Sequence, residues 1–374
     1  MADNSISMLT RLNSCKSVMP HFLWKMVMAY CDVKPILKLC TDKRFGNILN
    51  DDDWKRYFYA TKPAIAIVKT TCSDMNNFWK YACYNHIACD SINDMLSKIE
   101  SDNIGLISEL DEHIEKDFTY YKVYVSQGKY SITSGCHYKY KKCSIEIIGD
   151  EVKKTVFDFM KVKTVTTIAI VSSEQFTITG ITFINFSITY QSNSVNDAPK
   201  IELNNCIFYN KCNMNLTVIS INDLIITGCI IKTSPLYIKI KSCDNKSQII
   251  NYNITYNTFL GCDVASTILD GTIVDKLSMI NITNNTITKS HHLMANNNKD
   301  VSILVANNHI SNVVDCFNMF SLEKSTVFDN NIFINTGTQP HIFSDNIIFN
   351  ANNKFVDSID DPILAYIIQY GILP

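Results

Sequence analysis

Glycine or asparagine recurs through the rear part of the chain at intervals of 23 to 29 residues, followed by one interval of 15. An apolar residue usually stands two positions after each of them, as Ile207 and Phe259 do. Because glycine and asparagine adopt a left-handed backbone conformation at little cost, each repeat predicts a tight bend between two strands. The predicted turn ladder consists of Gly180, Asn205, Gly228, Asn257, Asn285, Asn308, Asn331 and Asn346.

A repeat in the low twenties predicts a solenoid, in which each repeat forms one coil stacked on the previous one. Leucine-rich repeats have a comparable period, but their Leu-x-x-Leu-x-Leu pattern is missing from this sequence. The many Ile, Val and Thr residues favour strands instead. We therefore predict a mainly β fold: a right-handed, single-stranded parallel β-helix with coils about 4.8 Å apart and asparagine amides hydrogen-bonded along the stack.

The N-terminal part follows a helical pattern. After Pro20, the apolar residues Leu23, Met26 and Val27 recur with a period near 3.6, and all tryptophans and arginines lie within the first 79 residues. This change of composition predicts a small helical domain in front of the β-helix. The predicted segments are the helical domain at 1–62, a helical linker and β-helix N-terminal cap at 63–105, the β-helix at 106–356 and a C-terminal cap helix at 357–374.

The composition argues against several classes of partner and site. With 34 basic and 36 acidic residues, the chain lacks the positive charge that attracts nucleic acid or an anionic membrane. Its 14 cysteines show neither Cys-x-x-Cys pairs nor zinc-type spacing, so we expect buried, reduced thiols, no metal and no cofactor. No signal peptide or membrane-spanning run is evident, which predicts a cytoplasmic, non-secreted protein whose sequons, such as Asn281-Ile282-Thr283, serve the fold.

Candidate chemistry within the coils is weak. Enzymes of the pectate-lyase type use an arginine base beside calcium-binding carboxylates, whereas this sequence has no arginine after Arg56. Asp263 and His291 fall on adjacent predicted coils and are weak candidates for an acid/base pair. Cys206 and Cys229, each one residue after a predicted bend, are expected to stack as packing residues. We therefore predict that the chain is not an enzyme.

The helical segment resembles the F-box motif over residues 18–60. The resemblance rests on Met19-Pro20, Leu23, Met26, Val27, Ile36, Leu39, Lys43-Arg44-Phe45, Ile48-Leu49 and Asp53-Trp54-Lys55, in that order. His21-Phe22 departs from the motif, in which an acidic and an aliphatic residue are usual. Further on, "YKVYVSQGKYSI" is similar to the first coils of pectate-lyase-like proteins with the pectin lyase fold. Together the two parts resemble the F-box β-helix proteins of large amoeba-infecting DNA viruses (giant viruses).

This resemblance implies a substrate-recognition adaptor of a cullin-type (SCF-like) ubiquitin ligase. The helical domain would dock a Skp-family protein, the β-helix would bind an unknown target protein, and a viral adaptor would act in the host cytoplasm. The residues implied in docking are Pro20, Leu23, Val27, Ile36, Leu39, Phe45 and Trp54. Two alternatives stay open: a structural virion or attachment protein built on the β-helix, and a β-helix carbohydrate-active enzyme.

Overall fold

A computed structural model describes the chain between Asn50 and Val356, with gaps. The described residues are 50–70, 78–108, 119–131, 137–140, 143–159, 167–170, 175–184, 187–191, 200–209, 212–217, 221–232, 237–241, 249–261, 266–270, 279–289, 295–296, 302–313, 326–334, 336 and 347–356. Outside them lie the implied docking residues up to Phe45, both members of the Asp263/His291 pair, Asn346 and the predicted cap at 357–374.

Three described helices precede the coils. Helix α1 (Asp51–Thr61) begins after Asn50, whose side chain accepts a hydrogen bond from the Asp53 backbone N–H at 2.9 Å. The Asp53 carboxylate in turn accepts one from the Asn50 N–H at 3.2 Å. This reciprocal cap satisfies two backbone donors and fixes the start of the helix. Helices α2 (Phe78–Asn85) and α3 (Ile92–Ser108) follow.

The segment predicted as a helical linker and cap at 63–105 contains strands as well as helices, which corrects that prediction. Strand β1 (Ile65–Thr70) pairs antiparallel with β2 (His86–Cys89) and with β3 (Thr119–Val125). Five of the six β1 residues are buried, so both faces of the strand are covered. Such a strand shows no alternation of apolar and polar residues in the sequence. Helix α3 buries an apolar face against the first part of the β-helix core.

Behind these elements the chain winds into a parallel β-helix with two large sheets; strands are numbered in chain order. The long sheet holds, in spatial order, β2, β1, β3, β6 (Cys143–Gly149), β9 (Gln175–Thr179), β12 (Lys200–Asn204), β15 (Ile221–Thr227), β18 (Ile249–Thr255), β21 (Met279–Thr283), β24 (Ser302–Ala306), β26 (Thr326–Asp329) and β28 (Ile347–Phe349). The short sheet holds β4 (Gly128–Ser131), β7 (Thr155–Asp158), β10 (Thr182–Ile184), β13 (Ile207–Tyr209), β16 (Ile230–Lys232), β19 (Thr258–Leu260), β22 (Thr286–Thr288), β25 (His309–Ser311), β27 (Ile332–Ile334) and β29 (Lys354–Val356). Each of these coils gives one strand to each sheet, which confirms the predicted fold class of a mainly β parallel solenoid behind a helical segment.

Smaller sheets form on the remaining side of the coils. They pair β5 (His137–Tyr140) with β8 (Thr167–Ile170), β11 (Ser187–Gln191) with β14 (Asn213–Thr217), and β17 (Tyr237–Lys241) with β20 (Ser266–Asp270), which also pairs with β23 (Ala295–Asn296). All of these pairs are parallel and join neighbouring coils.

The core between the sheets consists of side-chain stacks that follow the axis of the solenoid. Phe157, Phe183 and Phe208 occupy equivalent positions on neighbouring coils. Their ring centroids are 5.6 Å and 5.3 Å apart in succession. When residues of the same type stack on neighbouring coils, they remove apolar surface from water and fix the register of each coil on the next.

The bend after each strand of the long sheet from β9 to β26 is left-handed, but the predicted register is one residue late in the later coils. Positive φ values occur at Gly180, Asn205 and Gly228, as predicted. In the following coils they occur at Tyr256, Asn284, Asn307 and Asn330, each one residue before the asparagine that was expected to bend. In the three coils with an Asn-Asn pair, the first asparagine makes the bend and the second is buried beside it; in the remaining coil Tyr256 makes the bend before the buried Asn257.

The buried asparagines form a hydrogen-bonded ladder. Asn285 Oδ1 accepts from the backbone N–H and the Nδ2 of Asn257, at 2.8 Å and 3.1 Å. Asn285 Nδ2 donates to the Ile254 carbonyl at 2.9 Å and to Asn308 Oδ1 at 3.1 Å. The same bonds continue through Asn331 to Asn353. Because Asn353 lies a full coil after Asn331, it takes the place that the sequence pattern assigned to Asn346.

Candidate functional site

An aromatic cluster attaches the helices to the β-helix. Strand β1 alternates between two cores: Ile65 and Ile67 pack in the β-helix core, whereas Ala66 and Val68 pack with the helices. Phe58 of α1 lies on this second face, with its ring centroid 5.0 Å from Tyr124 of β3 and 5.7 Å from Trp79 of α2. Helices α1 and α2 are therefore packed on the outer face of the first strands.

Trp54 is the one implied docking residue within the described part of the chain, and its implied role needs correction. Its side chain is only 3% exposed and belongs to the aromatic cluster. Its backbone carbonyl accepts a hydrogen bond from the Cys83 thiol of α2 at 3.6 Å. Since the chain's own residues cover the Trp54 ring, it holds α1 against α2 and is not presented to a partner.

A buried lysine fixes the end of α1. Lys62 Nζ donates to Ser126 Oγ at 2.6 Å and to Asp150 Oδ2 at 3.2 Å, and its side chain is 1% exposed. It also lies 5.7 Å from the centroid of the Tyr59 ring. A buried ammonium is tolerated only when it is paired and hydrogen-bonded, so these contacts resist separation. Sequence reasoning missed Lys62 because no local pattern distinguishes it from surface lysines.

The outer face of the long sheet carries two rows of residues, which we call the polar face. The first row is Thr179, Asn204, Thr227, Thr255 and Thr283, and the second is Thr177, Glu202, Ile225, Asn253 and Asn281. Hydrogen bonds run along the rows: Thr227 Oγ1 lies 2.5 Å from Thr255 Oγ1, and Asn281 Nδ2 donates to Asn253 Oδ1 at 2.8 Å. Coil stacking thus converts dispersed Thr and Asn residues into a regular hydrogen-bonding surface.

Two cysteines continue the buried ladder in the earlier coils. Cys229 Sγ accepts from the Cys206 N–H at 3.4 Å and donates to the Leu203 carbonyl at 3.4 Å, as the asparagine amides do further along. Burial raises the pKa of the Cys229 thiol well above its usual value. The thiol therefore stays protonated, which suits hydrogen bonding and not nucleophilic chemistry.

Within the part of the chain that the structure describes, three buried side-chain atoms on the short sheet have no hydrogen-bond partner. They are Thr288 Oγ1, His309 Nδ1 and Ser311 Oγ. Thr288 and Ser311 are paired on neighbouring strands, and His309 stands two residues before Ser311 on the same strand. Burial lowers the pKa of His309, so its imidazole is neutral at pH 7. Each unsatisfied hydroxyl is expected to destabilise the fold by about 1–3 kcal/mol.

Thr288→Val is therefore expected to raise the free energy of unfolding by about 1 kcal/mol, because a methyl group replaces a buried hydroxyl that lacks a partner. The urea unfolding midpoint measures the change. Thr286→Val, at the partly exposed position two residues earlier on the same strand, is the control and should stay within about 0.5 kcal/mol of wild type. A clear loss of stability in Thr288→Val would mean that the hydroxyl makes a stabilising hydrogen bond.

Comparisons with known proteins give little beyond the fold. No family model matches the chain, and no curated protein is significantly similar to it. Two solved structures match it, both catalytic domains of a GH87 alpha-1,3-glucanase, one in complex with tetrasaccharides and the other with nigerose. Each match has 12% sequence identity and a TM-score of 0.19, and covers 71% of this chain and 68% of the other. A likeness this weak transfers neither substrate nor reaction.

The prediction that the chain is not an enzyme is corrected, since both solved structures that match the chain are catalytic domains; the match itself assigns no activity to this chain. The prediction had rested on the lack of an arginine after Arg56, which tests only the pectate-lyase kind of β-helix active site. Among the described residues, no group of three His, Cys, Asp or Glu side chains is placed to hold a metal ion. No helix in that part of the chain is long and apolar enough to cross a membrane.

Proposed function

We propose that the chain is a substrate-recognition adaptor of a cullin-type ubiquitin ligase. Its N-terminal domain would dock a Skp-family protein, and its β-helix would bind the target protein. The proposal rests on the F-box resemblance of residues 18–60, whose last part forms most of α1. The observation that supports it best is the attachment of α1 to the first strands of the β-helix through Phe58 and Lys62.

Such an attachment suits an adaptor because ubiquitin transfer depends on holding a target at a defined place relative to other subunits. The junction after α1 is held by the buried Lys62 pair. Helix α3 is held as well, since Asp102 accepts hydrogen bonds from Lys69 Nζ at 3.0 Å and from the Tyr121 hydroxyl at 2.6 Å. A protein docked on the helical end would therefore keep a fixed orientation relative to the outer surfaces of the coils.

Leu23→Asp in the full chain tests the proposal. A charge at an apolar position of the F-box-like segment is expected to weaken binding to a purified Skp-family protein by at least about a hundredfold. Lys153→Glu, at an exposed position behind β6, is the control and should bind as wild type does. Isothermal titration calorimetry measures both affinities. A wild-type chain that binds no Skp-family protein at micromolar concentrations would refute the adaptor role.

The two rival functions predict other results for the same material. A virion or attachment protein should co-purify with virus particles from infected cells and capture no Skp-family protein. A carbohydrate-active enzyme should release reducing ends from a polysaccharide, and its activity should be lost when Asp263 and His291 are replaced by Asn and Ala. The three assays therefore separate the adaptor from both rivals.

A further inference from the structure

Tyr256 breaks the rule that the bend residues follow. The other left-handed residues at this bend are glycine or asparagine: Gly180, Asn205, Gly228, Asn284, Asn307 and Asn330. Tyr256 has a φ of 57°, a conformation that is unfavourable for a bulky residue. Its side chain is 68% exposed, the highest value among the exposed large hydrophobic residues of the described part. Because the strained Tyr256 side chain is not buried, no apolar contact offsets the strain. A residue kept under such conditions points to a role other than stabilising the fold.

One side of the Tyr256 ring borders a coil that has no side chain at the bend. Gly228 is the equivalent residue on that coil, and a Cβ atom there would lie 2.3 Å from Asn205 Oδ1. The exposed Asn205 side chain therefore fills the space over Gly228, next to the Tyr256 position. On the other side stands the exposed Asn284. The ring is thus flanked by amides that both donate and accept hydrogen bonds.

The sheet surface next to Tyr256 is polar and carries few ionic groups. On the three coils around the ring, the polar face presents Ile225 and Thr227, then Asn253 and Thr255, then Asn281 and Thr283. The Thr227–Thr255 and Asn253–Asn281 hydrogen bonds hold these groups in fixed positions. A ligand on this surface would meet hydroxyls and amides at about 4.8 Å intervals, with the Asp223 carboxylate two residues before Ile225 on the same face.

We infer that Tyr256 and the adjoining polar face bind a neutral oligosaccharide. A sugar ring presents C–H groups on one face, which pack on the electron-rich face of an aromatic ring. Its hydroxyl groups, at the rim of that face, match the Thr and Asn side chains and the amides beside the ring. The inference does not depend on the adaptor role.

A protein partner fits this surface less well. Aromatic anchors of protein interfaces usually sit among apolar neighbours that exclude water from the contact. Around Tyr256, five of the six named polar-face residues on the adjacent coils are Thr or Asn, and Ile225 alone is apolar. A charged polysaccharide also fits poorly, because none of these side chains offers a countercharge.

Titration of the full chain with neutral hexasaccharides tests the inference; the set is cellohexaose, laminarihexaose, maltohexaose and chitohexaose. Wild type is expected to bind at least one of them with a Kd below about 1 mM, with saturation transfer from protein to sugar C–H protons. Tyr256→Asn should bind at least about tenfold more weakly. Its Tm should stay unchanged or rise by about 1–3 °C, because asparagine suits the left-handed bend. Tyr256→Phe keeps the ring and should bind within about threefold of wild type.

Three outcomes would overturn the inference. The first is that no neutral hexasaccharide binds wild type at 10 mM, and the second is that Tyr256→Asn binds as tightly as wild type. The third is that a protein binds the wild-type chain but not Tyr256→Asn and is not released by an excess of the free hexasaccharides. Tyr256 would then contact a protein and not a sugar. Failure of Leu23→Asp to affect Skp-family binding would leave this site untouched, so the two proposals stand or fall separately.

Discussion

Asn285→Ala is expected to lower the free energy of unfolding by about 3–6 kcal/mol, the largest effect of a single ladder substitution. The change leaves the Asn257 backbone N–H and the Ile254 carbonyl without their partners in a buried site. It also removes the amide that donates to Asn308 Oδ1. Each buried group left without a hydrogen bond destabilises by about 1–3 kcal/mol, and these losses fall on adjacent coils. Urea unfolding measures the total, and hydrogen exchange at the Asn257 amide locates it.

The preceding residue supplies a matched control. Asn284 has the same side chain but is exposed and forms the left-handed bend itself. Asn284→Ala should lower stability by only about 1–2 kcal/mol, because alanine disfavours the left-handed conformation. Asn284→Gly should be nearly neutral, since glycine accepts that conformation. Equal losses for Asn284→Ala and Asn285→Ala would mean that the ladder contributes no more than the bend does.

This pair also shows how far the sequence pattern reaches. The sequence shows a repeat about one coil in length, because each coil needs one bend and several inward-facing apolar residues. Both requirements restrict the residue type at those positions. The pattern does not separate a bending asparagine from a hydrogen-bonding one, as at Asn284-Asn285 and Asn330-Asn331. The pattern also placed the last position of the ladder at Asn346 instead of Asn353, because Asn346 is the same residue type and lies closer to Asn331.

Other features depend on contacts between distant segments and leave no local signal. Strand β1 is buried on both faces, so its apolar run has neither a helical nor an alternating period. The sequence around Lys62 is typical of a surface lysine, because Ser126 and Asp150 lie near it only in the folded chain. The sequence alone does not single out Tyr256, because its unusual position is defined by the backbone conformation that it shares with glycine and asparagine residues on other coils. Departures from a repeat are therefore most informative after its register is known.

Phe58→Ala is expected to release α1 and α2 from the β-helix without unfolding the coils. Phe58 is fully buried and contacts Tyr124 of the first long coil strand as well as Trp79 of α2. Removing a buried phenylalanine ring destabilises its surroundings by about 3–5 kcal/mol. The loss should fall on the aromatic cluster, because the inward residues of β3 belong to the separate β-helix core. Hydrogen exchange should therefore rise in α1 and α2 and stay low in the strands from β9 onward.

Arg56→Ala is the control for this substitution, since Arg56 is exposed on the same helix and its loss should change stability by less than about 0.5 kcal/mol. If α1 and α2 stay protected in Phe58→Ala, the helices are held by contacts other than the cluster. If the coils lose protection together with the helices, the two cores unfold as one unit. In the adaptor role, a released helical end would still dock its partner through Leu23 but would no longer hold a fixed orientation. Target ubiquitination would then fall while Skp-family affinity stays near wild type, which separates positioning from binding.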